Sequence, residues 1–102
     1  MFHVEIEKND TETIVRPEGM IDSTTSDEFA KEMESMLLEK PASVILDFQK
    51  VDYISSAGFR ILFMMAREMK KNQGQLTARH ISAEIKNLFD MVHLDHVMTI
   101  EA

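Results

Sequence analysis

Val44-Ile45-Leu46-Asp47-Phe48 is the stretch that most constrains what this 102-residue chain can fold into. Its apolar run is nearly continuous and lacks strict alternation, the pattern of a central strand covered on both faces. After only Gln49 and Lys50 comes a short extended run, Val51-Asp52-Tyr53-Ile54, which leads into a long apolar segment, Ile61 to Met69. A buried strand feeding a helix points to parallel pairing through a right-handed crossover.

The flanking residues supply the other layers. Phe2, Val4 and Ile6 alternate with polar residues, the mark of a half-buried strand. Lys8-Asn9-Asp10-Thr11 reads as a turn, and Thr13 to Arg16 as a second, antiparallel strand. Pro17 and Gly19 interrupt that strand, and Met20 and Ile21 extend it after a kink. Thr25 and Glu28 match a capping box for a helix that carries Phe29, Met33, Met36 and Leu37 to about Lys40, before Pro41. The helix after Ser55 and Ser56 runs to about Asn72, with Gly74 as its C-terminal breaker. Gln75 to Arg79 reads as a strand, Ser82 as the cap of a helix bearing Ile85, Leu88, Phe89 and Val92, and Val97 to Ile100 as a last edge strand. The order β-β-α-β-α-β-α-β predicts an α/β fold: one domain over residues 1–102, with three helices on a mixed sheet of about four to five strands.

Composition removes several functions. The chain has no cysteine, so it can hold neither a disulfide nor a thiolate metal site. No apolar run reaches the roughly 20 residues needed to span a bilayer, and the first residues lack a signal-peptide pattern. A cytoplasmic location and no membrane insertion are expected. The formal net charge of -7 argues against nucleic acid as a partner. All of that excess lies in residues 1–50, which hold twelve acids and five bases, while residues 51–102 hold six of each. His93 and His96 lack a third ligand, so no metal is expected, and no phosphate loop suggests a cofactor.

Ser55-Ser56-Ala57-Gly58-Phe59-Arg60 carries the functional signal. A hydroxyl at the first turn of a helix can cap free N–H groups, and the same position can carry a phosphate. The sequence is not the Gly-x-Ser-x-Gly elbow of a hydrolase, so no enzyme is predicted.

Val44 to Phe48 followed by Val51 to Leu62 resembles the STAS domain family, and in particular the bacterial anti-sigma factor antagonists. Gly19-Met20-Ile21-Asp22 is similar to the family's segment before the first helix. The resemblance implies that the chain binds an anti-sigma factor, often itself a serine kinase. It implies that phosphorylation of Ser56, two positions before Gly58, ends that binding, and that a PP2C-type phosphatase restores it. Ser55 stands where many members have Asp, Ala57 where they have Ser or Thr, and Arg60 where they have Gly. Ser55 is thereby a second candidate phosphoacceptor. The family also places Asp22 and Asp47 near the serine turn, where they would add like-charge repulsion to a phosphate. The alternative is a STAS docking subunit without a phospho-switch.

A helical wheel sharpens the site. Leu62, Met65, Ala66 and Met69 fall on one side, facing the core. Ser56, Arg60, Phe63, Met64, Arg67 and Lys71 fall on the other, a mixture of cations and large apolar groups suited to binding. That face, with Gly58, Ser55 and the loop bearing Asp22, Ser23 and Thr25, is the expected docking surface.

Overall fold

A computed structural model describes residues 2–101. The elements are β1 (His3–Lys8), β2 (Thr13–Ile21), α1 (Ser26–Leu37), β3 (Ser43–Asp47), β4 (Lys50–Ile54), α2 (Ser56–Lys71), β5 (Gln75–Arg79), α3 (Ala83–Met91), a 3-10 turn (Leu94–His96) and β6 (Thr99–Ile100). The strands form one mixed sheet in the order β1-β2-β3-β5-β6. β1 is antiparallel to β2, and the remaining pairs are parallel.

The sheet has six strands, one more than the upper expectation, because the segment before the serines folds as two. β3 pairs with Thr13–Val15 of β2 and β4 with Glu18–Ile21, so they lie end to end along the same strand. Pro17 falls in the gap between them. Its missing N–H therefore removes no bond from either parallel ladder, and β2 runs unbroken to Ile21.

The core forms where α1 and α2 cover one face of the sheet. Phe29, Met33, Leu62, Met65 and Met69 are fully buried against Val15, Val44 and Leu46. Phe89 of α3 sits edge-on to Phe48 and Phe59, each 5.7 Å away, and ties β3 to α2. β3 is not covered by helices on both faces. Ile45 is buried outside that core cluster, flanked in register by Ile14 and Thr77 on the opposite face of the sheet.

Two helix ends differ from expectation. Thr25 occupies the N-cap of α1 but makes no side-chain cap bond, so no capping box with Glu28 forms. At the end of α2 the left-handed residue is Gln73 (φ 61), while Gly74 donates to the Met69 carbonyl at 2.7 Å. With Gln73 donating to the Lys70 carbonyl at 3.0 Å, this is a Schellman closure. The Ser82 cap forms as expected, its hydroxyl accepting from Ile85 N at 3.2 Å.

Candidate functional site

The C-terminal ends of β2 and β4 lie side by side, Ile21 opposite Ile54; β4 runs through Ser55 straight into α2, and β2 leads through the short loop Asp22 to Thr25 into α1. Ser55 N–H donates to the Ile21 carbonyl at 2.8 Å, stitching the two strand ends together. The serines then part company. Ser55 holds the N-cap position with extended backbone (φ -90, ψ 177), but its hydroxyl makes no cap bond. The Ser55 Oγ is shielded from solvent and has no hydrogen-bond partner among the described residues. Ser56 is the first residue of α2 and is exposed. It sits where free N–H groups and the positive end of the helix dipole gather, and the first turn of α2 carries no acid.

Gly58 explains how the turn lies so close to the sheet. A Cβ at this position would stand 2.7 Å from Ile54 Cγ2, 2.8 Å from Ile21 Cγ2 and 3.1 Å from the Ile21 carbonyl oxygen. Both isoleucines are fully buried. Gly58 is itself buried, so it presents no contact surface; it acts on the expected docking face by setting the height of the helix.

The loop beside Ser56 is built by Asp22. Its carboxylate accepts from Thr24 N at 2.9 Å, Thr24 Oγ1 at 2.7 Å and Thr25 N at 3.2 Å. The side-chain and backbone bonds from Thr24 lead in holding the Asp22 carboxyl below the usual carboxylate range, so it stays charged at neutral pH. The Thr25 hydroxyl donates to the Met20 carbonyl at 2.8 Å and accepts from Asp22 N at 3.0 Å, the reason it cannot cap α1. Ser23 is exposed at the tip of this loop.

Asp47 does not belong to this site. Leu46 pairs with Val15, which sets Asp47 level with Arg16, five residues before Ile21. At about 3.3 Å per residue this is roughly 17 Å away along the strand. β4 is inserted between Asp47 and the serines, and that insertion carries them to the far end of β2. Asp47 instead bonds His80 Nδ1 at 3.0 Å and Gln49 N at 3.0 Å and faces Arg16 Nε at 3.8 Å.

On α2, Arg60, Arg67 and Lys71 are exposed along the crest. Phe63 and Met64 are half-buried and pack against the core rather than standing free. They lean to opposite flanks: Phe63 lines a groove with Leu76 and Val97, whereas Met64 lines another with Leu37 and Leu38 of α1. The expected face is therefore a cationic crest with an apolar shoulder on each side. Among the described residues no three His, Asp or Glu side chains gather as metal ligands.

The STAS domain model matches residues 3–102. The chain belongs to the STAS domain family. Among its STAS relatives is BtrV of Bordetella bronchiseptica, named as an anti-sigma factor antagonist. It is 26% identical over 86 residues, which are 84% of this chain and 74% of BtrV. An anti-sigma factor antagonist from Mycobacterium paratuberculosis superposes with a TM-score of 0.86 at 20% identity, covering 98% of this chain and 85% of the other. The Bacillus cell-fate determinant SpoIIAA in its phosphorylated form superposes with a TM-score of 0.75 at 16% identity, covering 100% of this chain and 92% of SpoIIAA. At such identities the solved structures speak for the STAS fold. Sequence reasoning missed two features of this STAS site, the burial of the Ser55 hydroxyl and the exposed pair Met20 and Tyr53; the first depends on the packing around the turn and the second on the register of β2 against β4.

Proposed function

We propose that this STAS domain is an anti-sigma factor antagonist that binds its partner through the β2–α1 loop and the α2 crest, and is switched off by phosphorylation of Ser56. The observation that carries the reading is the contrast between the serines: Ser56 is exposed on the first turn of α2, and the Ser55 hydroxyl is buried. A kinase can reach the first and not the second. The names of the relatives support the antagonist role.

Phosphorylation adds roughly -1.5 to -2 charge at pH 7. The free N–H groups and dipole of α2 tolerate that charge, so the fold persists. A partner packed over a neutral hydroxyl meets an anion it cannot pair, beside the ionised Asp22. Asp22, Ser23, Thr25, Ser55, Ser56, Arg60, Phe63, Met64, Arg67 and Lys71 form the docking set in this reading, with Gly58 beneath it. The kinase is the anti-sigma partner itself, a PP2C-type phosphatase resets the switch, and the chain acts in the cytoplasm as a binding module without catalysis. No helix among the described residues is long and apolar enough to cross a membrane.

The test is phosphosite mapping of the chain incubated with ATP and a candidate anti-sigma serine kinase. Modification of the parent and of Ser55→Ala, but not of Ser56→Ala, is expected. Full modification of Ser56→Ala would sink the assignment, and an unmodified parent would favour a docking subunit without a switch.

A further inference from the structure

Val51 of β4 faces the core, so strict alternation would turn Tyr53 inward and Ile54 outward. The register slips between Gly19 and Met20 of β2, which pair with Val51 and Tyr53 and leave Asp52 as an extra residue. Gly19 sits at φ 101, a conformation open to glycine. This bulge reverses the alternation: Ile54 is buried and Tyr53 is 46% exposed. Its register partner Met20 is 47% exposed. Adjacent strands lie about 4.8 Å apart, so these two large side chains form one apolar patch.

The patch ends where the switch begins. Ile21 and Ile54 come next, then Asp22 and Ser55, and the Thr25 hydroxyl ties the loop back to the Met20 carbonyl. Tyrosine and methionine are enriched at the cores of protein interfaces, and bulges commonly re-aim side chains beside functional sites. We propose that Met20 and Tyr53 are the apolar anchor of the phospho-gated interface, received by an apolar cleft on the anti-sigma partner. The inference rests on the reading that Ser56 gates that partner. Met20 and Tyr53 stand on the sheet face away from α1 and α2, so the contact surface runs from the serine turn around the end of the sheet onto its open face, and a phosphate on Ser56 would sit inside it rather than at its rim.

The experiment compares the affinities of the parent, Tyr53→Ser, Tyr53→Phe, Met20→Ser and Ser56→Asp for a candidate anti-sigma factor that binds the unmodified parent. Thermal melts check that each variant folds. Tyr53→Ser is expected to bind on the order of 30-fold more weakly, as interface anchors do, with Met20→Ser weakened less and Tyr53→Phe close to the parent. If Tyr53→Ser binds within twofold of the parent, the anchor is wrong, even when Ser56→Asp has lost binding and the gate stands. If Ser56→Asp binds normally while Tyr53→Ser does not, the anchor stands and the gate falls.

Discussion

Arg16 and Met20 lie four residues apart on β2, yet the chemistry around them is opposite. Around Arg16 every charge has an answer: its guanidinium reaches Glu7 at 2.8 Å, Glu5 at 3.3 Å and Asp47 at 3.8 Å, and Asp47 also holds His80. Around Met20 the surface is open. An aromatic ring and a thioether stand in solvent, a serine hydroxyl is exposed on a helix N-terminus, and its neighbour is buried without a partner. Both regions belong to one strand of one sheet, so stability does not require the second to be left open. The closed cluster maintains the fold, and the open end is the surface that the proposed interface would cover.

This contrast can be broken from the inside first. Gly58→Ala drives a methyl into Ile21 and Ile54 beneath the switch, where neither side chain has free space. A loss of about 2 kcal/mol in urea unfolding is expected, the usual scale of overpacking. A change below about 0.5 kcal/mol would show that α2 rides higher on the sheet than the structure places it.

Next in size is the closed cluster. Burial alone would raise the Asp47 carboxyl, but hydrogen bonds from His80 and Gln49 and the charges of His80 and Arg16 outweigh it and lower its pKa. A carboxyl depressed in the folded state contributes stability above its unfolded pKa, and loses it as pH falls through the folded value. Asp47→Asn should cost about 1 kcal/mol at neutral pH and flatten the loss of stability on acidification below about pH 4. An acid limb of the same slope in parent and variant would remove Asp47 from the account.

The smallest effects belong to the open end. Ordinary N-cap serines lose about 1 kcal/mol on truncation to alanine. Ser55→Ala removes a buried hydroxyl that makes no bond, so thermal denaturation should show no loss and at most a slight gain. Ser56→Ala, at an exposed position, should stay within about 0.5 kcal/mol of the parent. A loss of 1 kcal/mol or more in Ser55→Ala would make the pair a structural cap.

Local patterns carried much of this architecture. The alternation of Phe2, Val4 and Ile6, the Leu62–Met65–Ala66–Met69 stripe of α2 and the Ser82 cap are short-range signals, and the structure shows each. The split of β3 from β4 left no such signal, because Asp47-Phe48-Gln49-Lys50 contains no glycine or proline; what separates the strands is a shift of partner along β2. The bulge is non-local for the same reason. Tyr53 reads as an ordinary strand residue until Gly19 is set opposite Val51. Phe63 and Met64 misled the wheel because helices have flanks as well as faces, and the shoulders of α2 are filled by α1 on one side and by the approach to β6 on the other.

The most direct test of the gate is the affinity of Ser56-phosphorylated and unmodified protein for a candidate anti-sigma factor, with circular dichroism recorded on both. The two forms should have superimposable spectra, and the phosphorylated form should bind at least about 100-fold more weakly, as expected for an unpaired charge buried at an interface. Equal affinities, or a phosphorylated form that has lost its fold, would contradict the account.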